Sequence, residues 1–336
     1  MPKDNLTIPP SPDSISAEWL TAALRSSGVI KQAHVSCVSV RPVVAGSGFV
    51  GQTAHLLIEY DRAEPGAPAS LFAKLSSASP QVREQMRRLG LYETEAGFYR
   101  DLAALDDFPV RIPRPFLSLY EEATGASVLL IEDLGKAQFC DNVAGSSPEE
   151  ALGIVRQTAV LHAHFWNDPR LKAFAWLRSP AADTAAFTAV YKAMLAPFEQ
   201  RFSAMVSPYY LNAAKEFSTW TASFLYHASQ LPTTLFHGDL RLDNVAIASN
   251  HHGPEIVFFD WQVSRLAHGA ADLAYYMAIS LPVEQRRAKE AELLNTYHET
   301  LLANGVTSYS HEDLFAGFST WTRFAAADGG RGQRHA

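Results

Sequence analysis

Strand patterns and helix patterns are segregated along this chain rather than interleaved. Between Val35 and Ile131 the apolar residues gather in short β-like runs, at 35–44, 54–60 (AHLLIEY), 71–75 (LFAKL) and 127–131 (SVLLI). After Pro148 they recur at helical spacing, over 148–166, 183–205 and 209–229. Two short strand patterns, 244–248 and 256–259, precede the helices that resume near Ala271. One helical stretch, Gln81 to Leu105, sits inside the strand-rich part. Another precedes it, capped by Ser14 or Ser16 and closed by Gly28. Such a division reads as an α+β chain in two parts. The break falls where Glu132-Asp-Leu-Gly ends the last strand of the first part.

The length agrees: 336 residues at about 150 per domain suggest two lobes. The expected boundaries are a poorly ordered Pro-rich start at 1–14, a first lobe at 15–133, a second at 134–327 and a flexible tail at 328–336. A hydrophobic content of 47 % supplies a large core without metal or disulfide staples. The two cysteines, Cys37 and Cys140, cannot form a disulfide framework. Lys and Arg number 28 against 35 Asp and Glu, a net charge of −7. That lacks the basic footprint of a nucleic-acid binder, so no nucleic-acid partner is expected. No run approaches the ~18 apolar residues of a membrane span. The start, MPKDNLTIPPSPDS, has no apolar signal-peptide core. The expected location is therefore the cytoplasm.

Gly46, Ser47, Gly48 and Gly51 lie in G-S-G-F-V-G, a spacing shared by two phosphate-binding devices. In a dinucleotide-binding unit the loop opens a helix. In a kinase it turns between strands over the nucleotide phosphates. Here QTAHLLIEY follows, with β-like composition, and no acid stands ~20 residues beyond Gly51 where a ribose ligand is expected. The strand–loop–strand reading prevails over a dinucleotide oxidoreductase, although a plain glycine-rich hairpin has the same spacing. Lys74 sits in the middle of LFAKL. In isolation it reads as a snorkelling surface lysine. As a phosphate-binding cation it needs a carboxylate from the next helix, which offers Glu93 and Glu95. The register of Phe98 and Tyr99 favours Glu95.

The most specific segment is LFHGDLRLDNVAI, 235–247. His237-Gly238-Asp239 is followed five residues after the aspartate by Asn244. A second apolar run, IVFF, then ends in Asp260-Trp-Gln. Phosphoryl transfer explains the grouping. Metal ions must bridge and neutralise phosphate oxygens, and Asn and Asp oxygens are hard ligands suited to Mg²⁺. A further carboxylate must accept the attacking hydroxyl's proton. A short loop followed by a hairpin brings these groups together.

On these residues the chain resembles the aminoglycoside phosphotransferase/choline kinase superfamily, small-molecule relatives of protein kinases. The Asp260-Trp-Gln variant, Glu132-Asp-Leu and the Trp-rich helical insert resemble its ecdysteroid kinase-like branch most. The resemblance spans about Trp19 to Leu281. It implies a bilobal kinase-like fold with a small β-rich N-lobe, a larger helical C-lobe, and ATP between them. It further implies Asp239 as catalytic base, Asn244 and Asp260 as Mg²⁺ ligands, and Lys74 on the phosphates with Glu95 as partner. Gly46, Ser47, Gly48 and Gly51 would cover the nucleotide, and the backbone of Glu132, Asp133 and Leu134 would read adenine. Asp272 would brace the catalytic loop through backbone N–H groups. Arg241 stands where a cation reaches the γ-phosphate, or is a solvated surface arginine. Gly238 replaces the arginine with which protein kinases read a phosphorylated activation loop, and no such loop is evident between Asp260 and Asp272.

The insert 165–226 is the expected acceptor region. It is rich in aromatic residues and carries only Asp168, Asp183, Glu199 and Glu216 as acids, against six bases. A polycationic sugar needs carboxylates opposite its ammonium groups. The expected acceptor is therefore a small organic alcohol, bulky and largely apolar. The competing readings are an aminoglycoside or macrolide resistance kinase and a pseudokinase that binds nucleotide without turnover. His162 and His164, two apart on a helix, do not share a face and read as buried, hydrogen-bonded histidines rather than a metal pair.

Overall fold

The computed structural model describes residues 6–43, 51–135, 137–179, 182, 184–250 and 253–329. The chain forms two compact units. Unit 1 comprises residues 1–137 together with 257–263, and unit 2 comprises 138–256 and 264–336.

Unit 1 is built on an antiparallel sheet of β1 (Val35–Pro42), β2 (Gly51–Tyr60), β3 (Ser70–Ser76), β4 (Pro115–Glu121) and β5 (Ala126–Glu132), in the order β1-β2-β3-β5-β4. Period-2 alternation sets its inner face: Ala54, Leu56 and Ile58 of β2 and Leu71, Ala73 and Leu75 of β3 are buried. The helix α1 (Ala17–Ser26) starts at Ser16, whose hydroxyl accepts from the Trp19 N–H. Its stripe of Leu20, Ala23 and Leu24 joins the same core cluster. Each fully buried leucine contributes about 1.5–3 kcal/mol relative to exposure.

The single helix expected over 81–105 is broken. α2 (Pro80–Arg88) stops where Gly90 turns left-handed at φ +73°, and α3 (Leu91–Gly97) restarts there. A π-helical turn, Phe98–Leu102, follows, and both Phe98 and Tyr99 are buried. Strand β4 is not among the strand patterns read from the sequence. It is an edge strand with a register shift between Pro115 and Leu117, which spoils its alternation. The Pro-rich start is also more structured than expected. The Trp19 indole donates to the Thr7 carbonyl at 2.7 Å, and Pro12 is buried in a 3₁₀ turn.

The break between units falls at 137/138 rather than 133/134, and segment 257–263 belongs to unit 1 instead of the helical part. Two contacts explain this. Phe258 N–H donates to the Arg111 carbonyl at 3.0 Å, with a parallel bridge between Arg111 and Val257. Trp261, fully buried, stacks on Phe98 with centroids 4.1 Å apart.

Unit 2 contains β6 (Gln138–Phe139), α4 (Pro148–His164), α5 (Thr184–Phe202), α6 (Pro208–Ala228), β7 (Thr234–Phe236), β8 (Val245–Asn250), the start of β9 (Gly253–Phe258), β10 (Arg265–Ala267), α7 (Ala270–Ser280), α8 (Val283–Ala303) and α9 (His311–Gly329). A capping box between Ser147 and Glu150 opens α4. Helix α4 packs on α8, and α7 on α9. The pair β7–β10 is antiparallel, with Phe236 opposite Arg265, so the loop that carries Asp239 leaves directly from a strand end. The stretch between Asp260 and Asp272 is occupied by β10. Helix α9 runs to Gly329, one residue past the expected start of the tail at 328.

Candidate active site

In unit 1, Lys74 lies on the face of β3 opposite the buried Leu71, Ala73 and Leu75. Its Nζ is 2.5 Å from Glu95 Oε1 and 3.0 Å from Asp260 Oδ1. Glu95 comes from α3 and is buried, whereas Glu93 is half-buried and is not the lysine's partner. Burial opposes the ammonium charge, but attraction by Asp260 and Glu95 outweighs it and holds the Lys74 pKa above its ordinary range. Burial pushes the Glu95 carboxyl up, against the pull of Lys74.

Asp260 follows β9 with a left-handed backbone, φ +67°, one of two such non-glycine residues among those described. Aspartate tolerates this region better than most residues, at a cost of about 1–3 kcal/mol. The Trp261–Phe98 stack, three residues beyond Glu95, fixes both ends of this arrangement.

At the end of β5, both Glu132 oxygens accept from Arg111 at 2.6 Å, and one also accepts from the Arg114 N–H. Asp133 pairs with His55 at 3.3 Å and accepts from the Gly135 N–H. The side chains of Glu132 and Asp133 are thus engaged within unit 1. Ala137 N–H donates to the Leu134 carbonyl. Gly51 opens β2 opposite Ser76. Gly46, Ser47 and Gly48 lie outside the described residues.

In unit 2, the loop after β7 is held from below by Asp272. One Asp272 oxygen accepts from the His237 N–H at 2.7 Å, and the other from the Gly238 N–H at 2.9 Å. Asp272 is fully buried, and His162 Nε2 lies 3.2 Å from it. The other His162 nitrogen lies 2.8 Å from Tyr297 Oη. Gly238 has φ +89°, a conformation that favours glycine over residues with a side chain.

The Asp239 carboxylate receives three side chains. Tyr275 Oη donates to Oδ1 at 2.9 Å, Asn244 Nδ2 donates to Oδ2 at 2.9 Å, and Arg241 Nε lies 3.4 Å from Oδ2. Arg241 also pairs with Asp243 at 2.7 Å, so its charge is engaged within its own loop. Asn142 completes the loop's support, accepting from the Leu242 N–H and the Ser280 hydroxyl. The sequence reading missed Tyr275 and Asn142. Tyr275 was findable, because it stands at i+3 from Asp272 and shares its helix face. Asn142 is a hundred residues away, and no local signal marks it.

Among the described residues no group of three or more His, Cys, Asp and Glu is spaced to hold a metal. Asp260 and Asn244 present hard oxygen ligands, of the chemistry that suits Mg²⁺. A cavity of about 590 Å³ in unit 2 has Asn167, Lys172, Leu177 and Leu231 in its wall, and neither Asp239 nor Asn244.

A five-stranded antiparallel sheet carrying the lysine and a helical unit carrying the Asp239 loop define an α+β, kinase-like fold. The chain belongs to the ecdysteroid kinase-like family, whose model matches residues 45–306. Its structure is similar to choline kinase from Cryptosporidium parvum Iowa II, at 10 % identity and a TM-score of 0.56, with 93 % of this chain and 90 % of that one covered. It is also similar to a Ralstonia eutropha JMP134 protein provisionally described as an aminoglycoside phosphotransferase. That match has 16 % identity and a TM-score of 0.53, covering 92 % and 97 %. No curated protein sequence matches the chain.

Proposed function

We propose that this protein is an ATP- and Mg²⁺-dependent phosphotransferase that moves the γ-phosphoryl group to a hydroxyl of a small organic molecule. One observation carries the reading: the Asp239 carboxylate stands on a loop braced by Asp272, fixed by donors on both oxygens, with Asn244 beside it. A surface aspartate needs no such support, whereas a general base must be held in one orientation. In this reading Asp239 accepts the acceptor hydroxyl's proton. Lys74, kept charged between Glu95 and Asp260, holds phosphate oxygens, and Arg241 is a second cation for them once it turns from Asp243. Asn244 and Asp260 are the residues whose oxygens would hold Mg²⁺, which would neutralise the phosphate charge. The backbone of 132–134 reads the adenine, and the glycine loop covers the nucleotide. The intact set argues against a pseudokinase.

The acceptor is a bulky, largely apolar alcohol, and the protein works in the cytoplasm. No helix among the described residues is long and apolar enough to cross a membrane. Of the insert's acids, Asp168 is paired with Arg170 at 2.7 Å and Glu199 with Lys215 at 2.6 Å, so these two already carry a cation of their own. The insert's aromatic residues differ in burial. Phe165, Trp176, Phe217 and Phe224 are core, and Phe224 packs edge-on against Trp321 at 5.0 Å. Phe187, Tyr209, Trp220 and Tyr226 keep exposed apolar surface for a ligand. The test is nucleotide consumption with Mg²⁺ against a panel of apolar and steroid-like alcohols, aminoglycosides and macrolides at one salt concentration. Turnover accelerated by apolar alcohols is expected. Efficient aminoglycoside or macrolide turnover alone would transfer the reading to a resistance kinase, and no accelerated turnover with any acceptor would remove it.

A further inference from the structure

Helix α7 touches the Asp239 loop twice, and the two contacts differ in kind. Asp272, in its first turn, binds the loop's backbone. Tyr275, three residues later and on the same face, binds the side chain of the base itself. Its neighbour Tyr276 turns away into the core, fully buried, with its hydroxyl 3.0 Å from Ser146 Oγ. Adjacent tyrosines thus serve different faces of the helix, and the half-buried Tyr275 is the one that bonds Asp239.

The two carboxylate oxygens are not held alike. Asn244 and Arg241 both approach Oδ2, while Tyr275 bonds Oδ1. A carboxylate gripped at one oxygen can still pivot about that oxygen. Gripped at both, its plane is set. Each oxygen retains a second lone pair after one hydrogen bond, so the Tyr275 bond leaves Oδ1 able to accept a hydroxyl proton while fixing the direction from which it does so.

We propose that Tyr275 is a positioning residue for phosphoryl transfer: its hydroxyl sets the plane of the Asp239 carboxylate and so aligns the base with the acceptor hydroxyl. The proposal rests on the phosphotransferase reading above. It requires the hydroxyl, not the ring. A hydrogen bond to a charged group has a net strength that corresponds to roughly 10- to 100-fold in rate if it is lost in the transition state.

The experiment compares Tyr275→Phe, Tyr275→Leu and the unsubstituted protein, using an acceptor that supports turnover. Binding of a non-hydrolysable ATP analogue serves as the check on folding. Tyr275→Phe should lower kcat about 10- to 100-fold, leave analogue affinity and nucleotide KM within about twofold, and raise the share of nucleotide hydrolysed without product. Tyr275→Leu should resemble Tyr275→Phe in kcat. If Tyr275→Phe keeps full kcat while Tyr275→Leu loses it, the ring is a packing element and the proposal is overturned. A fall in analogue affinity that matches the fall in kcat also overturns it, because the residue would then act on the fold or the nucleotide. An unsubstituted protein that turns over no acceptor is a separate result: it removes the phosphotransferase reading, and this proposal with it.

Discussion

Replacing Asp272 by asparagine keeps the side chain's shape and removes one acceptor oxygen. In the protein one oxygen serves the His237 N–H and His162, and the other serves the Gly238 N–H, all with no solvent exposure of the Asp272 side chain. The asparagine carbonyl is best kept where it meets two partners, which turns its NH₂ group onto the Gly238 N–H. One hydrogen bond to a charged acceptor is then lost, about 1.5–3 kcal/mol, and a buried N–H is left facing another donor, about 1–3 kcal/mol more. The expected loss is about 3–5 kcal/mol, a large share of a typical domain's 5–15 kcal/mol. Equilibrium unfolding in guanidinium, followed by tryptophan fluorescence without nucleotide, measures it. Glu292→Gln is the control. It breaks an exposed pair with Lys289 at 2.7 Å and should cost under about 1 kcal/mol. A loss below about 1 kcal/mol for Asp272→Asn would refute the argument, because it would mean that Asp272 is not the sole buried acceptor for these loop amides.

Asp239→Asn and Asp260→Asn should separate chemistry from binding. The first should lower transfer about 10²–10⁴-fold with nucleotide affinity nearly unchanged. The second, by removing a charged ligand for Mg²⁺, should weaken metal–nucleotide binding in a calorimetric titration, and identical binding defects would reject this division of roles. Acid should weaken unit 2 through His268, which is buried beside His162 and Asp313, with its Nε2 2.9 Å from Tyr309 Oη. Burial first, and His162 second, hold its pKa down at about 4 against an ordinary 6.5. The unfolded chain therefore binds the extra proton, and the stability present above pH 6.5 declines as pH falls toward 4, by about 3 kcal/mol in total. His268→Phe should flatten that part of the stability-against-pH curve, and an unchanged slope between pH 4 and 6.5 would count against the assignment.

Much of this molecule is legible from local pattern, and the failures have physical causes. The inner strands β2, β3 and β5 read correctly because each alternates or runs apolar between turn residues. Strand β4 did not, since its bulge and edge position weaken alternation. Gly90 divides a stretch whose apolar spacing looks continuous, because a left-handed glycine stops the helix without disturbing the pattern. The Lys74–Glu95 pair was recoverable from helix register, which places the glutamate through Phe98 and Tyr99. The return of 257–263 to unit 1 depends on contacts with Arg111 and Phe98, some 150 residues earlier, which no window along the sequence contains. The Arg241–Asp243 pair was hidden for the opposite reason. The two residues are adjacent enough to pair, but nothing in the sequence says whether the guanidinium turns to its neighbour or outward.

The ring stack between Phe98 and Trp261 bears on how such a protein is controlled. Phe98 begins the turn that follows Glu95, and Trp261 directly follows Asp260. Both rings are fully buried, and Phe108 packs edge-on against each of them. Glu95 and Asp260, the two partners of Lys74, are therefore joined behind the lysine by a common aromatic clamp and must shift together or not at all. A protein kinase switches off by withdrawing one partner while the other stays. Here that withdrawal means pulling an indole out of a packed core, at about 3–5 kcal/mol for the lost packing of a large aromatic. If the protein works as proposed, the expected consequence is a triad without a separate off position: Glu95 and Asp260 should not be withdrawn from Lys74 one at a time. An inhibitor that depends on an opened space behind the aspartate should find none.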